Sequence, residues 1–171
     1  VEIFHDENLP FDETRDKNKL LEMALKKNPD FLFNIDADEI LMPNSKKILL
    51  EEINTLYPDK YVFEFQYLEM WDKPNQYRYD AHMSSIWRKK LVRMKDQPND
   101  LHYNDTPYPN NMHCPPIPDN TFGLDNSVRS RVKILHYGYY DLASRQEKFE
   151  RYTKMDPDNT SFDGYRHLVS S

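Results

Sequence analysis

Apolar residues recur along this chain in two rhythms. Between residues 12 and 28, Leu20, Leu21, Ala24 and Leu25 fall at helical spacing, with Asp12 as an N-cap ahead of them and Asn28-Pro29 behind. That pattern predicts a helix over 12–28. A second helix is expected over 44–56, capped by Asn44 or Ser45, with Ile48, Leu49, Ile53 and Leu56 turned inward. A third, rich in charge, is expected over 143–154. Elsewhere the apolar runs are short and rich in branched and aromatic residues, as strands are. They fall at 1–4, 31–35, 61–71, 86–94 and 132–139, and the nearly continuous run at 31–35 suggests a strand buried on both faces. Strand, helix, strand, helix over the first 60 or so residues predicts a parallel α/β unit. The later strands have no clear helices between them, which predicts antiparallel or mixed additions.

One stretch breaks both rhythms. Residues 95–130 hold six of the twelve prolines and many Asn and Asp residues. A connection of that length inside a compact domain is usually functional or mobile. Composition narrows the class. With 171 residues, 38% of them apolar and 13% aromatic, the chain supports one domain, 1–171, with its own core. The net charge of −6 argues against nucleic acid as the main partner. A lone cysteine, Cys114, excludes an intrachain disulfide and is compatible with a reducing, cytoplasmic setting. No apolar run approaches the roughly 18 residues of a membrane span.

The candidate chemistry begins at the end of the 31–35 run, where Asp36-Ala37-Asp38-Glu39 places three carboxylates in four positions. In open α/β sheets ligands bind beyond the carboxyl ends of strands. On an extended chain Asp36 and Asp38 would share a side and aim at one point. Like charges that close oppose each other's ionisation unless a cation lies between them. A hard divalent ion, Mn²⁺ or Mg²⁺, is the natural occupant, with substrate phosphates in its other positions; the plainer reading is a solvated acidic turn. His136 is the best further metal ligand, because it ends the apolar run Val132-Lys133-Ile134-Leu135. Beside it stands Gly138, one of only three glycines. The remaining histidines, His5, His82, His102, His113 and His167, show no ligand spacing.

Taken together, Arg15 with Asn18, residues 31–41 with their DADE, Trp87-Arg88, and residues 134–140 followed by Arg145, Lys148 and Arg151-Tyr152 resemble nucleotide-sugar-dependent glycosyltransferases of the GT-A fold, especially the large inverting family 2. The resemblance implies a Rossmann-like mixed sheet flanked by helices, with the Pro-rich segment as an acceptor-side loop. It implies a divalent ion bridging the donor's diphosphate, held directly by Asp38 and His136. Asp36 would hold the ribose, or the metal through water, and Arg15 and Asn18 would line the nucleotide side. A UDP-sugar donor and a carbohydrate or glycoconjugate hydroxyl acceptor are implied in the same way. Relatives begin with a further β-α-β-α stretch, so the resemblance implies an N-terminally incomplete catalytic domain.

Inverting transfer needs a base for the acceptor hydroxyl. Many relatives place a Glu after a histidine in the acceptor loop, whereas His113 is followed by Cys114. The candidates are therefore His113, Asp119 and Asp125, with Glu69 and Asp72 as a second group. Trp71 and Tyr108, near loops, are candidates to stack on an acceptor sugar. Two other classes compete. A haloacid-dehalogenase-type phosphatase also runs an apolar strand into DxD, but Glu39 and Ile40 stand where it wants its own motif. A non-catalytic carbohydrate-binding module would use the acidic turn for Ca²⁺ alone.

Overall fold

The computed structural model describes residues 10–79, 85–158, 165–166 and 168–169. The strand expected at 1–4 lies outside these residues, as do His5, His82 and His167. Helix α1, Glu13–Leu25, starts where the Asp12 carboxylate accepts the Arg15 N–H at 2.8 Å. Strands β1, Phe31–Phe33, and β2, Glu39–Leu41, follow, then α2, Ser45–Glu51. A wider, π-type turn at Glu52–Leu56 extends α2, and β3, Val62–Glu69, β4, Trp87–Arg93, and β5, Val128–His136, complete the sheet. Helix α3, Leu142–Met155, closes the order, and the Asp141 carboxylate caps it by accepting the Ser144 N–H at 2.8 Å.

Among the described residues, five strands form one mixed sheet in the order β1-β4-β3-β5-β2. Only β3 and β5 run parallel; β1–β4, β3–β4 and β2–β5 are antiparallel. The α/β class holds, but the parallel unit expected early in the chain is corrected. The 31–35 run supplies only a three-residue strand at the sheet margin, and all three residues are half-buried. β5 also begins earlier than expected, because Ser130 and Val132 continue its inward alternation toward Ile134.

Among the described residues β1 and β2 are the two edges of this sheet, yet only residues 34–38 separate them. Four strand spacings amount to about 19 Å, and six extended Cα steps reach only about 20 Å. The sheet relieves that constraint by curling. Phe31 and Phe33 from one edge and Leu41 from the other pack on the same buried cluster of Phe63, Phe65, Tyr67, Leu91, Val132 and Ile134. α2 covers this face through Ile48, Leu49 and Ile53. The fully buried Glu52 ties the helix to β5, accepting from Ser130 Oγ at 2.5 Å and from the Arg131 N–H at 2.8 Å. Leu56, expected inside, is exposed at the end of the π-type turn, and Leu20 is exposed on α1. Neither Asn44 nor Ser45 caps α2 with its side chain: Asn44 is left-handed (φ 65°), and the Ser45 hydroxyl donates to Met42 O.

Leu32 and Val92 face the other way, onto α1 and the Pro-rich segment. That segment is neither free nor featureless. Leu101, Tyr103, Cys114 and Ile117 are buried. The Asn18 amide brackets Tyr103, donating to its carbonyl and accepting its N–H, both at 2.9 Å. Lys17 donates to Cys114 O at 2.9 Å, and Asn34 donates to Pro116 O at 2.6 Å.

Candidate active site

The link between the sheet edges carries the acidic cluster across the barrel-like curl. Asn34 N–H donates to Lys90 O at 3.0 Å, and the chain then turns: Glu39 N–H donates to Asp36 O at 3.1 Å. Asp36 to Glu39 is therefore a β-turn rather than an extended strand end, and the carboxylates separate instead of sharing a side. Asp36 accepts from Lys90 Nζ at 2.9 Å. Asp38 meets His136 Nε2 at 3.5 Å and accepts from Lys148 Nζ at 3.1 Å. The expectation that Asp36 and Asp38 converge on one point is corrected, and the turn is the reason.

Lys90 resolves much of the electrostatic problem posed by three neighbouring carboxylates. Its side chain is only 2% exposed and pairs with Glu39 at 2.8 Å as well as with Asp36. Tyr67 OH also donates to Glu39. A buried ammonium is tolerable only when paired in this way. For Asp36, burial opposes ionisation, but the Lys90 hydrogen bond prevails and holds its pKa below the ordinary value.

The third carboxylate belongs to a different group. His136 ends β5 opposite both Glu39 of β2 and Glu69 of β3. Its Nδ1 lies 2.5 Å from Glu69 Oε2, so the ring is held between two carboxylates, Glu69 on Nδ1 and Asp38 on Nε2. Burial disfavours the imidazolium, but hydrogen bonds to Asp38 and Glu69 overcome it and raise the pKa to about 9. The His136 hydrogen bond likewise holds Asp38 well below the carboxylate range, against burial and with help from Lys148. Tyr139 packs its ring 5.1 Å from His136 and 5.0 Å from Lys148 Nζ. Gly138 faces the same atoms. A Cβ there would sit 2.5 Å from Lys148 Nζ, 2.6 Å from His136 Nε2 and 2.7 Å from Asp38 Oδ2. Any larger residue at 138 would have to displace the ends of these three side chains.

This donor set fits one divalent ion in part. Asp38 Oδ2 and His136 Nε2 are close enough for an ion to touch both at about 2.1 Å. Glu69 behind Nδ1 is the outer carboxylate that orients metal-binding imidazoles. Among the described residues no group of three or more His, Cys, Asp or Glu side chains converges to cage a metal.

Other expected residues are dispersed. Arg15 pairs with Asp16 at 2.7 Å, and Asn18 is committed to Tyr103. The α1 residues that line a cleft of about 430 Å³ beside Asp36 and Asn34 are instead Lys17, Leu20, Leu21 and Ala24. Asp125 lies in a short 3₁₀ turn, Leu124–Asn126, just before β5 starts opposite Phe63. His136 is at the other end of β5, about 26 Å away, so Asp125 is at the wrong end of the sheet to serve this centre. Asp119 accepts the Asn104 N–H at 2.9 Å and lines a separate cleft with Trp87 and Lys89. Asp72 pairs with Arg145 at 2.9 Å. Trp71 is packed by Arg145 and Arg78, 4.0 and 4.9 Å from its ring centre, and lines a separate cleft of about 380 Å³ with Asp72 and Tyr77. His113 sits among Tyr108, Tyr152 and Tyr165.

Sequence reasoning missed Lys90 as the partner of Asp36 and Glu39. An inward lysine in the strand Trp-Arg-Lys-Lys-Leu-Val, within reach of an acidic turn, is the signal that would have found it. No protein-family model matches the chain, and no curated protein shows significant similarity to it.

Proposed function

We propose that this chain carries the catalytic centre of a metal-dependent glycosyltransferase of the GT-A type. In this reading it moves a sugar from a nucleoside-diphosphate sugar, UDP-sugar first, to a hydroxyl acceptor with inversion. The observation that carries the reading is the meeting of Asp38 and His136 from opposite halves of the chain, with Glu69 behind the imidazole. Asp38 and His136 would hold Mn²⁺ or Mg²⁺, with water and diphosphate oxygens completing the shell. When bound, the ion supplies positive charge against the negative charge that develops on the leaving diphosphate. For this, His136 must give up its Nε2 proton while Nδ1–H stays on Glu69. Lys148 is one hydrogen bond from Asp38 and adds a second positive charge beside the same diphosphate. Asp36, turned to Lys90, faces the cleft lined by Lys17, which suits the ribose and nucleoside side.

Thermal unfolding with Mn²⁺ and a panel of UDP-, GDP- and dTDP-sugars tests the reading. Metal and nucleotide together should raise the melting temperature more than either alone, because both bind only the folded chain. His136→Ala and Asp38→Asn should each abolish the joint effect. Absence of any nucleotide response in the intact chain, or a response to Ca²⁺ alone, would sink it.

A further inference from the structure

A second cleft, of about 320 Å³, opens between the start of α1, the turn at 112–113 and the second half of α3. It has no part in the metal and diphosphate chemistry above. Its walls are aromatic and thioether: Phe11, Tyr152, Met112 and Met155. Phe11 is 51% exposed although apolar. Three polar groups, Glu13, His113 and Arg151, share the lining. An apolar, ring-faced wall with a few convergent polar groups is the composition of a small-ligand site.

Placement ties this cleft to the centre. Tyr152 follows Lys148 by four residues, one helical turn of about 5.4 Å. Hence the face of α3 that brings Lys148 to Asp38 continues into the cleft, with Tyr139 packed against both Lys148 and His136. The His113 ring is packed edge-to-face on Tyr108 at 5.1 Å and lies 6.2 Å from the Tyr152 ring. Partial burial among those rings keeps the imidazole below its ordinary pKa, so it is neutral near pH 7, able to accept or donate to a hydroxyl.

A pyranose ring matches these walls. Its C–H faces are apolar and suit Phe11 and Tyr152, while its rim of hydroxyls suits a carboxylate, an imidazole and a guanidinium. We propose that this cleft binds one pyranose unit, the acceptor sugar of the reaction proposed above. The acceptor assignment rests on that reading, whereas the saccharide site does not.

The test uses the intact chain with ¹³C-methyl-labelled methionine, so that Met112 and Met155 report from within the cleft. The probes are the methyl α- and β-glycosides of glucose, galactose, mannose and N-acetylglucosamine at millimolar concentration, each with and without UDP and Mn²⁺. At least one glycoside should shift both methyl signals saturably. Phe11→Ala, at an exposed position that leaves the core intact, should weaken that binding about three- to tenfold. Tyr152→Phe, which keeps the ring, should retain it. Silent methyls with every glycoside overturn the site, even if nucleotide and Mn²⁺ bind. Shifts without any nucleotide response keep the site and overturn the transferase reading.

Discussion

Gly138 and His136 show how narrow the tolerances of this centre are. Replacing Gly138 with alanine places a methyl group within 2.7 Å of the three groups that define it, Asp38, His136 and Lys148. The strain falls on the functional atoms rather than on the sheet. Gly138→Ala should therefore keep native circular dichroism and lose the joint stabilisation by Mn²⁺ and nucleotide. A variant that binds both as well as the parent chain would show that the three side chains can move aside.

His136 makes a prediction about pH. Folding raises its pKa from 6.5 to about 9, so the folded chain holds the proton more tightly than the unfolded chain. The resulting stability is fully present below about pH 6.5 and is lost as pH rises through about 9. Metal-free protein in a chelating buffer should lose stability across that window, and His136→Gln should flatten the loss. Asp38 works in the opposite sense. Its pKa is depressed, so its contribution holds above the ordinary carboxylate value near 3.8 and fades as pH falls below it. Urea midpoints between about pH 3 and about pH 10 read both slopes in one series.

At the level of elements, legibility followed length. α1, β3, β4 and α3 each contain enough residues to display their period, and the spacing of Leu21 or the alternation of Phe63, Phe65 and Tyr67 was sufficient to find them. β1 and β2 have three residues each, too few for a period, so β1 was found only by its unbroken apolar run and β2 was not found. β2 is also disguised by the buried Glu39 in its first position, whose partner Lys90 is invisible until the strands are paired. Asp38 and His136 were legible because each stands at the end of an apolar run. Asn18 was legible as a polar helix residue but not in its task, which is set by Tyr103, distant in sequence. Two element-scale variants follow. Asn18→Leu removes both hydrogen bonds that bracket Tyr103 and should cost about 2–3 kcal/mol, with faster hydrogen exchange at the Tyr103 amide. Lys90→Met leaves Glu39 buried without its cation and should cost about 3–5 kcal/mol. Denaturant titrations read the second loss, and a cost below about 1 kcal/mol would show that Glu39 does not depend on the Lys90 cation.

Across the whole molecule, the decisive feature is the short link between the two sheet edges. Strand order and direction are not written in local periodicity, which is why a parallel unit was expected where β1 and β2 instead close a curled sheet. The same link carries the acidic turn, so closing the sheet and building the site are one event. Asn34 is fixed to Lys90, Asp36 to Glu39, and Asp38 O to the Tyr137 N–H at 2.8 Å. Fully extended, the link would barely cover the flat span, and the turn at Asp36–Glu39 shortens it further, so it can join the two edges only across the curled sheet. Lengthening an exposed loop adds only about 0.6 kcal/mol per doubling. Four Gly-Ser residues inserted after Asn75, in the exposed turn beyond β3, should therefore lower stability by less than about 1 kcal/mol. The same insertion after Ala37 loosens both edge strands and detaches Asp38 from His136. It should cost several times as much, and it should abolish Mn²⁺ binding even in the fraction that folds. Equal costs at the two positions would mean that the sheet closes without the link, and that the acidic turn is attached to the curl rather than holding it shut.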